Sequence, residues 1–256
     1  MNTENIGIPI AEIRFEGDKS KTRKICVEPN RENVTEYLTE IKTRKPKEHL
    51  QHLPNKKTER QILYITGASG SGKSYYTRNY CNEYKKLFPK NSIYLFSSIQ
   101  EDSSIDKVKD IMRIRLDNEF LQTDLTVNDF KDSLVVFDDT DCITNKMLKM
   151  KVNNILNMLL ETGRHTNTSV IYTSHLPTNG LDTRRILNEC HSVTIFPHSL
   201  GGRALKYLLE NYFGLDKDQI KKLKKLQSRW VTLVKGFPMV VMAEKDIYTL
   251  NTDEDI

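Results

Sequence analysis

The chain is expected to fold as an α/β protein with a mostly parallel central sheet flanked by helices and a C-terminal β-hairpin. Three observations predict this. From Gln61 onward, short apolar runs of strand length alternate with segments of helical periodicity. The first of these runs leads into a glycine-rich loop that opens onto a helix. A later run ends in two adjacent carboxylates. Strands and helices in alternation favour parallel strands covered on both faces, because each crossover helix packs back onto the sheet.

The elements follow in order. "QILYIT" (61–66) reads as a buried strand, followed by the loop and a helix to about Lys86. "SIYLFS" (92–97) is a second strand. Residues 104–132 hold one or two short helices and loops. "SLVVFDD" (133–139) is a third strand, after which Leu148, Val152, Ile155 and Leu159 mark one face of a long helix. "TSVIYTS" (168–174) and "HSVTIFP" (191–197) are the fourth and fifth strands, and helices are expected over 201–213 and 216–227. "RWVTLVKGFPMVVMAEKDIYTL" suggests two strands joined near Gly236, Phe237 and Pro238. Residues 1–60 read as an N-terminal extension before a main domain spanning 61–256. In the extension, "IPIAEIRF" and "KICVEP" suggest paired strands. Asn30 is a reasonable N-cap for a helix carrying Val34, Leu38 and Ile41. Residues 42–60, polar, basic and interrupted by Pro46 and Pro54, read as a linker.

Composition narrows the function. Among 256 residues the net charge is +5, which permits a nucleic-acid partner without demanding one. No apolar run approaches the length of a membrane span or a signal peptide. The four cysteines, Cys26, Cys81, Cys142 and Cys190, form no CxxC pair, so no zinc or redox motif is indicated, and scattered reduced thiols fit an intracellular chain.

The glycine loop carries the chemistry. Gly67, Ala68, Ser69, Gly70, Ser71, Gly72, Lys73 and Ser74 satisfy G-x-x-x-x-G-K-[ST] in full, between a strand and a helix, with Tyr75 next in line. Glycines let successive backbone N–H groups turn toward a phosphate, and the helix adds its positive end. Lys73 can reach the outer phosphates of a nucleoside triphosphate, and the Ser74 hydroxyl can ligate Mg²⁺. In "LVVFDD", Asp138 is the candidate for the Mg²⁺ shell and Asp139 for polarising an attacking water. The alternative is that both acids only open the turn-rich "TDCITN". A kinase would not need the second acid, so the pair favours hydrolysis. Thr173, Ser174 and His175, ending the fourth strand, are candidates for a polar group sensing the γ-phosphate. Arg164 before that strand, and Arg184, Arg185 and Arg203 after it, are candidates for an arginine finger.

Taken together, "GASGSGKS", "LVVFDD", "GRHTNTSVIYTSH" and "SRWVTLVKGFPMVVMAEKDIYTL" resemble the genome-packaging ATPases of large nucleocytoplasmic DNA viruses, the poxvirus-type branch of the FtsK–HerA superfamily. The resemblance runs from about residue 60 to 250. It implies a RecA-like, ASCE-type P-loop core that binds ATP and Mg²⁺. It implies a homo-oligomeric ring that pumps double-stranded DNA without reading its sequence. It also implies capsid or inner-membrane proteins of the virion as partners, and a place in the host cytoplasm, at the viral factory, and in the virion. By position, Lys73 and Ser74 bind phosphate and Mg²⁺, Asp138 and Asp139 are the strand-end acids, and Arg164 is the arginine before the fourth strand. The chain departs from the superfamily where a Gln usually ends that strand; here His175 occupies the position, and either His175 or Ser174 takes over sensing. Lys217, Lys221, Lys224 and Lys225, opposite Ile220, Leu223 and Leu226, could face DNA phosphates or simply form the solvated face of an amphipathic helix. Other readings of the same core are a helicase-like ATPase, a nucleotide-dependent assembly scaffold and a small-molecule kinase.

Overall fold

The computed structural model describes residues 1–16, 18–28, 33–43, 45–55, 60–236 and 238–250. Four strands precede the phosphate loop: β1 (Ile8–Phe15), β2 (Asp18–Val27), β3 (Glu40–Lys42) and β4 (Glu48–His52). The central elements are β5 (Ile62–Thr66), α1 (Lys73–Leu87), β6 (Ser92–Ser97), β7 (Ile111–Ile114), α2 (Asn118–Gln122), β8 (Ser133–Asp138), α3 (Lys146–Thr162) and β9 (Ser169–Ser174). The chain continues with α4 (Leu181–Glu189), β10 (Ser192–Ile195), α5 (Gly202–Phe213), α6 (Lys217–Lys224), β11 (Val231–Val234), β12 (Met239–Ala243) and β13 (Asp246–Leu250).

One mixed sheet runs in the order β3-β13-β12-β11-β10-β5-β9-β8-β6-β7. From β10 to β7 every pairing is parallel, and from β10 to β3 every pairing is antiparallel. Strand β9 lies between β5, which feeds the phosphate loop, and β8, which carries the acids. This is the expected α/β architecture, a central sheet that is parallel across its middle and flanked by helices.

The strands are buried on both faces, and their alternation separates two cores. Ile62 and Tyr64 of β5, with Val135 and Phe137 of β8, pack with Val152, Ile155 and Leu159 of α3 and with Leu205, Leu208 and Leu209 of α5. Leu63 and Ile65, with Leu134 and Val136, pack instead with Tyr76, Tyr80 and Tyr84 of α1. The helix face read from Leu148, Val152, Ile155 and Leu159 therefore points where its periodicity required.

Four expectations need correction. The end of the chain forms three antiparallel strands rather than two, because β13 folds back on β12; Phe237 of the first connection lies outside the described residues. Residues 104–132 contain a strand, β7, which pairs parallel with β6 beside the short helix α2. No helix carries Val34, Leu38 and Ile41 among the described residues, and Asn30 lies outside them. Instead the backbone of Leu38 exchanges hydrogen bonds with Met1, and Ile41 sits in β3 against Ile247 of β13. Three apolar residues at helical spacing could not outweigh the pairing offered by an unfilled sheet edge. Finally, the basic stretch after Lys42 includes β4, whose alternate residues Leu50 and His52 are buried while β4 pairs with β1. The expected β1–β2 pairing is present, so β2, β1 and β4 form a second, three-stranded sheet. It packs Ile10, Ile13, Ile25 and Leu50 against Val240, Met242 and Ile247 of the large sheet.

Phe137 stacks on Phe96 across β8 and β6, with ring centroids 5.0 Å apart. Phe137→Ala is expected to cost ~3–5 kcal/mol. The urea unfolding midpoint should fall by that free energy divided by the slope, with the slope itself unchanged.

A candidate nucleotide-phosphate site

The site forms at the C-terminal edge of the parallel strands, where the ends of β5, β8 and β9 lie side by side. From β5 the chain turns at residues 67–72 into α1. Gly70 and Gly72 have φ of 73° and 111°, a region that L side chains rarely adopt. A side chain at Gly67 would collide with Ser71 Oγ and Phe196. Helices α2, α3 and α6 are capped by the side chains of Asp117, Asn145 and Asp216. At the start of α1 no side chain caps the backbone, and its first turn holds no acid. Its N–H groups and positive dipole end are thus left for an anion.

Lys73 is almost wholly buried, at 6% exposure. Its ammonium donates to Gly67 O at 3.1 Å, lies 3.2 Å from His175 Nδ1 and 3.7 Å from Asp139 Oδ1. His175 Nε2 is in turn 3.1 Å from Asp139 Oδ2. With Lys73 donating into Nδ1, the ring hydrogen sits on Nε2 and points at Asp139. Lysine, histidine and aspartate therefore close a ring of contacts, drawn from the start of α1 and from the ends of β9 and β8, far apart in sequence.

Neighbouring residues of a strand point to opposite faces, so two adjacent acids would not normally share a site. Here β8 ends at Asp138, and Asp139 adopts a left-handed conformation with φ 48°. That turn swings the second carboxylate back toward the first. Thr173 ties them together: its hydroxyl reaches Asp138 Oδ1 at 2.9 Å and Asp139 Oδ1 at 3.3 Å, and accepts from the Asp139 N–H at 3.0 Å. Asp138 is 1% exposed, and its second oxygen has no hydrogen-bond partner among the described residues. Burial, and then the Asp139 carboxylate, push its pKa up to about 6. A buried carboxylate with one bare oxygen fits a cation completed from outside the chain. Ser74, half-buried in the first turn of α1, is the second oxygen available for it. Among the described residues no group of three or more His, Cys, Asp or Glu could hold a metal unaided. Mg²⁺ takes few protein ligands and shares the rest with phosphate and water, so Asp138 and Ser74 would be its protein oxygens here. Ser71 Oγ, also buried and without a hydrogen-bond partner among the described residues, faces the same loop.

The remaining candidates divide. Ser174 is turned away: its hydroxyl donates to Asp141 at 2.9 Å and accepts from the Leu176 N–H, while Tyr64 donates to Leu176 O at 2.6 Å. These bonds fix the turn that presents His175. Asp141, one turn beyond the acids, was not singled out from the sequence, and its only signal there was proximity to Asp138. Tyr75 is exposed, with the Arg78 guanidinium 4.7 Å over its ring. Arg164 is exposed on the turn leading into β9, at the opposite end of the strand from His175. Six extended residues separate them by roughly 20 Å, so Arg164 does not join Lys73 within one chain. Arg185 pairs with Glu161 at 2.9 Å, while Arg184 and Arg203 are exposed. Lys217, Lys221, Lys224 and Lys225 are exposed opposite buried Ile220 and Leu223. No helix among the described residues is long and apolar enough to cross a membrane.

The raised pKa of Asp138 has a stability consequence. Its destabilising effect is absent below the ordinary carboxylate value of 3.8, grows as pH rises and is complete above about 6. Asp138→Asn should therefore stabilise the free protein at pH 8 by up to about 3 kcal/mol and not at pH 4. Urea unfolding at the two pH values checks both the size and the sign.

No family model matches the chain. Among solved structures, the fold is similar to the DNA-packaging ATPase B204 of Sulfolobus turreted icosahedral virus. That likeness has 14% identity over 72% of this chain and 97% of that one, with a TM-score of 0.49. It is also similar to the cytoplasmic domain of the type VII secretion ATPase EccC of Thermomonospora curvata, with 11% identity over 77% of this chain and 27% of that one, and a TM-score of 0.48. The conjugation coupling protein TcpA of pCW3 gives 12% identity over 97% of this chain and 79% of that one, with a TM-score of 0.45. In sequence, the chain is 45% identical over 194 residues to "Uncharacterized protein V3" of Sputnik virophage, covering 75% of this chain and 78% of that protein. The chain belongs to the family of this virophage V3 protein.

Proposed function

We propose that the chain is a Mg²⁺-dependent ATPase that works as a homo-oligomeric ring and drives double-stranded DNA into a capsid. The observation that carries the ATPase reading is the convergence of Lys73, Asp138, Asp139, Thr173 and His175 beside an uncapped helix end. The loop amides and Lys73 would hold the β- and γ-phosphates, and Ser74 with Asp138 would hold the metal. When bound, Mg²⁺ neutralises charge between those phosphates. Asp139 would take a proton from an attacking water, and the Thr173 hydroxyl beside its carboxylate supports that reading. Lys73 is shared by Gly67 O, His175 and Asp139. A γ-phosphate that drew the ammonium away would free His175 and Asp139 together, which suits His175 to the sensing role.

DNA translocation, and ATP rather than GTP, rest on the motif resemblance, above all "GRHTNTSVIYTSH" and the late "SRWVTLVKGFPMVVMAEKDIYTL". The distance of Arg164 from its own Lys73 supports a finger acting on a neighbour's nucleotide. The exposed lysines of α6 offer a sequence-blind grip on phosphate backbone. The residues before β5 would form an accessory unit on this ATPase core.

Phosphate release from ATP, with and without long double-stranded DNA, tests the whole reading. DNA should stimulate release, and Lys73→Ala should abolish it. Hydrolysis indifferent to DNA, in a protein that also fails to bind it, overturns the translocase. Thr173→Val should lower kcat by ~10–100-fold while leaving KM nearly unchanged, because it disturbs only the placement of the acids. Mixing Lys73→Ala with Arg164→Ala subunits should recover activity that neither has alone; no recovery argues that Arg164 does not act between subunits.

A further inference from the structure

On the side away from His175, the phosphate loop opens into a cleft of about 450 Å³ whose lining includes Ser71 and Gly72 themselves. Small-molecule sites occupy ~300–1,000 Å³, so the cleft is of the right size for part of a ligand already held by the loop. A nucleotide bound through its phosphates must send its base off one side of the loop. The other side is filled by the acids and His175.

The walls have the chemistry of a base site. Trp230 is half-buried and braced edge-on by Tyr76, with centroids 5.1 Å apart. The Phe196 ring comes within 3.4 Å, and the Arg229 guanidinium within 4.0 Å, of where a Cβ on Gly72 would stand. Aromatic rings and a guanidinium plane are the surfaces on which nucleobases stack. Much of the remaining wall comes from residues 46–51 of the N-terminal unit, with Asn79 of α1 and Glu244 and Lys245 of the large sheet's connections beside them. That wall is held in register by the core: Leu50 N donates to Glu244 O, Thr43 N donates to Lys245 O, and buried His52 bonds the Tyr76 hydroxyl at 2.9 Å. Tyr76 also bonds Thr232 on β11. One tyrosine of the helix that begins at the phosphate loop thus joins the N-terminal sheet, the tryptophan and the large sheet.

We propose that this cleft takes the base of the bound nucleoside triphosphate, so that the N-terminal sheet forms part of the nucleotide site. The inference rests on the phosphate-loop reading above and adds where the base goes and what touches it. It also makes nucleotide occupancy something the N-terminal unit can register directly.

Trp230 is the only tryptophan, so its emission reports on the cleft without a label. The full chain with Mg²⁺ is titrated with a non-hydrolysable ATP analogue and, separately, with inorganic tripolyphosphate. The analogue should shift or quench Trp230 emission and bind at least ~10-fold tighter than tripolyphosphate. Tripolyphosphate alone should leave emission unchanged, and in excess it should displace the analogue and return emission to that of the free chain. Arg229→Ala, an exposed substitution, should weaken the analogue by ~10-fold and leave tripolyphosphate unaffected. Gln51→Ala should weaken the analogue selectively as well. Equal affinity for both ligands with silent Trp230 emission would overturn the base site and leave the phosphate site standing. An equal loss of both ligands in Arg229→Ala would make Arg229 a phosphate contact and would also overturn it. Failure of the folded chain to bind either ligand would sink the phosphate-loop reading, and this inference with it.

Discussion

Asp138 is a carboxylate held out of water at the end of a strand, with one oxygen bonded to Thr173 and the other bonded to nothing among the described residues. Such a group opposes folding, and its pKa is raised accordingly. The rest of the site can be understood as what is needed to hold it there. Strand β9 must lie between β5 and β8 so that Thr173 can reach the acid, and β8 must be covered on both faces so that its end is dry. The surrounding hydrophobic cores meet that demand. Val136 faces α1 and Phe137 faces α3, so neither side of the strand can rotate Asp138 toward solvent without losing packing.

The same constraint explains the contacts around Lys73. A buried ammonium needs partners, and here it takes a loop carbonyl, a histidine and an aspartate. Each is a polar group a triphosphate could replace. Ser174 contributes differently. Its bonds to Asp141 and Leu176, with that of Tyr64 to Leu176, stiffen the turn after β9, so a displacement of His175 would be passed to the chain that follows rather than absorbed locally.

The N-terminal sheet is joined to the core by more than apolar contact. Arg14 of β1 bonds Glu83 of α1 at 2.6 Å, and His52 of β4 bonds Tyr76 of the same helix. Burial lowers the pKa of His52 to about 4, so it stays neutral at physiological pH and serves as a hydrogen-bonding strut rather than a charge. Both struts grip the helix that starts at the phosphate loop. These contacts make the two sheets parts of one packed body.

The sequence by itself determined the phosphate loop, the acid-tipped strand and the apolar helix faces. These are local: six glycine, serine and alanine residues before Lys73 and Ser74, a run of four apolar residues before Asp138, and a repeat of three and four along α3 all express their meaning within a few neighbours. Only the tertiary structure decided what those pieces meet. That Thr173 bridges two adjacent acids depends on strand order and on a left-handed turn at Asp139. That His175 rather than Ser174 faces Lys73 depends on the bond of Ser174 to Asp141, in the turn after β8, and on that of Tyr64, in β5, to Leu176 O. The basic stretch around His49 concealed a strand because its alternation spans five residues and pairs with a strand more than thirty residues earlier. Ile41 joined a sheet edge more than two hundred residues downstream instead of a helix. In each case the deciding partner lies beyond the reach of any local pattern. Burial and hydrogen bonding are settled only when the chain closes on itself.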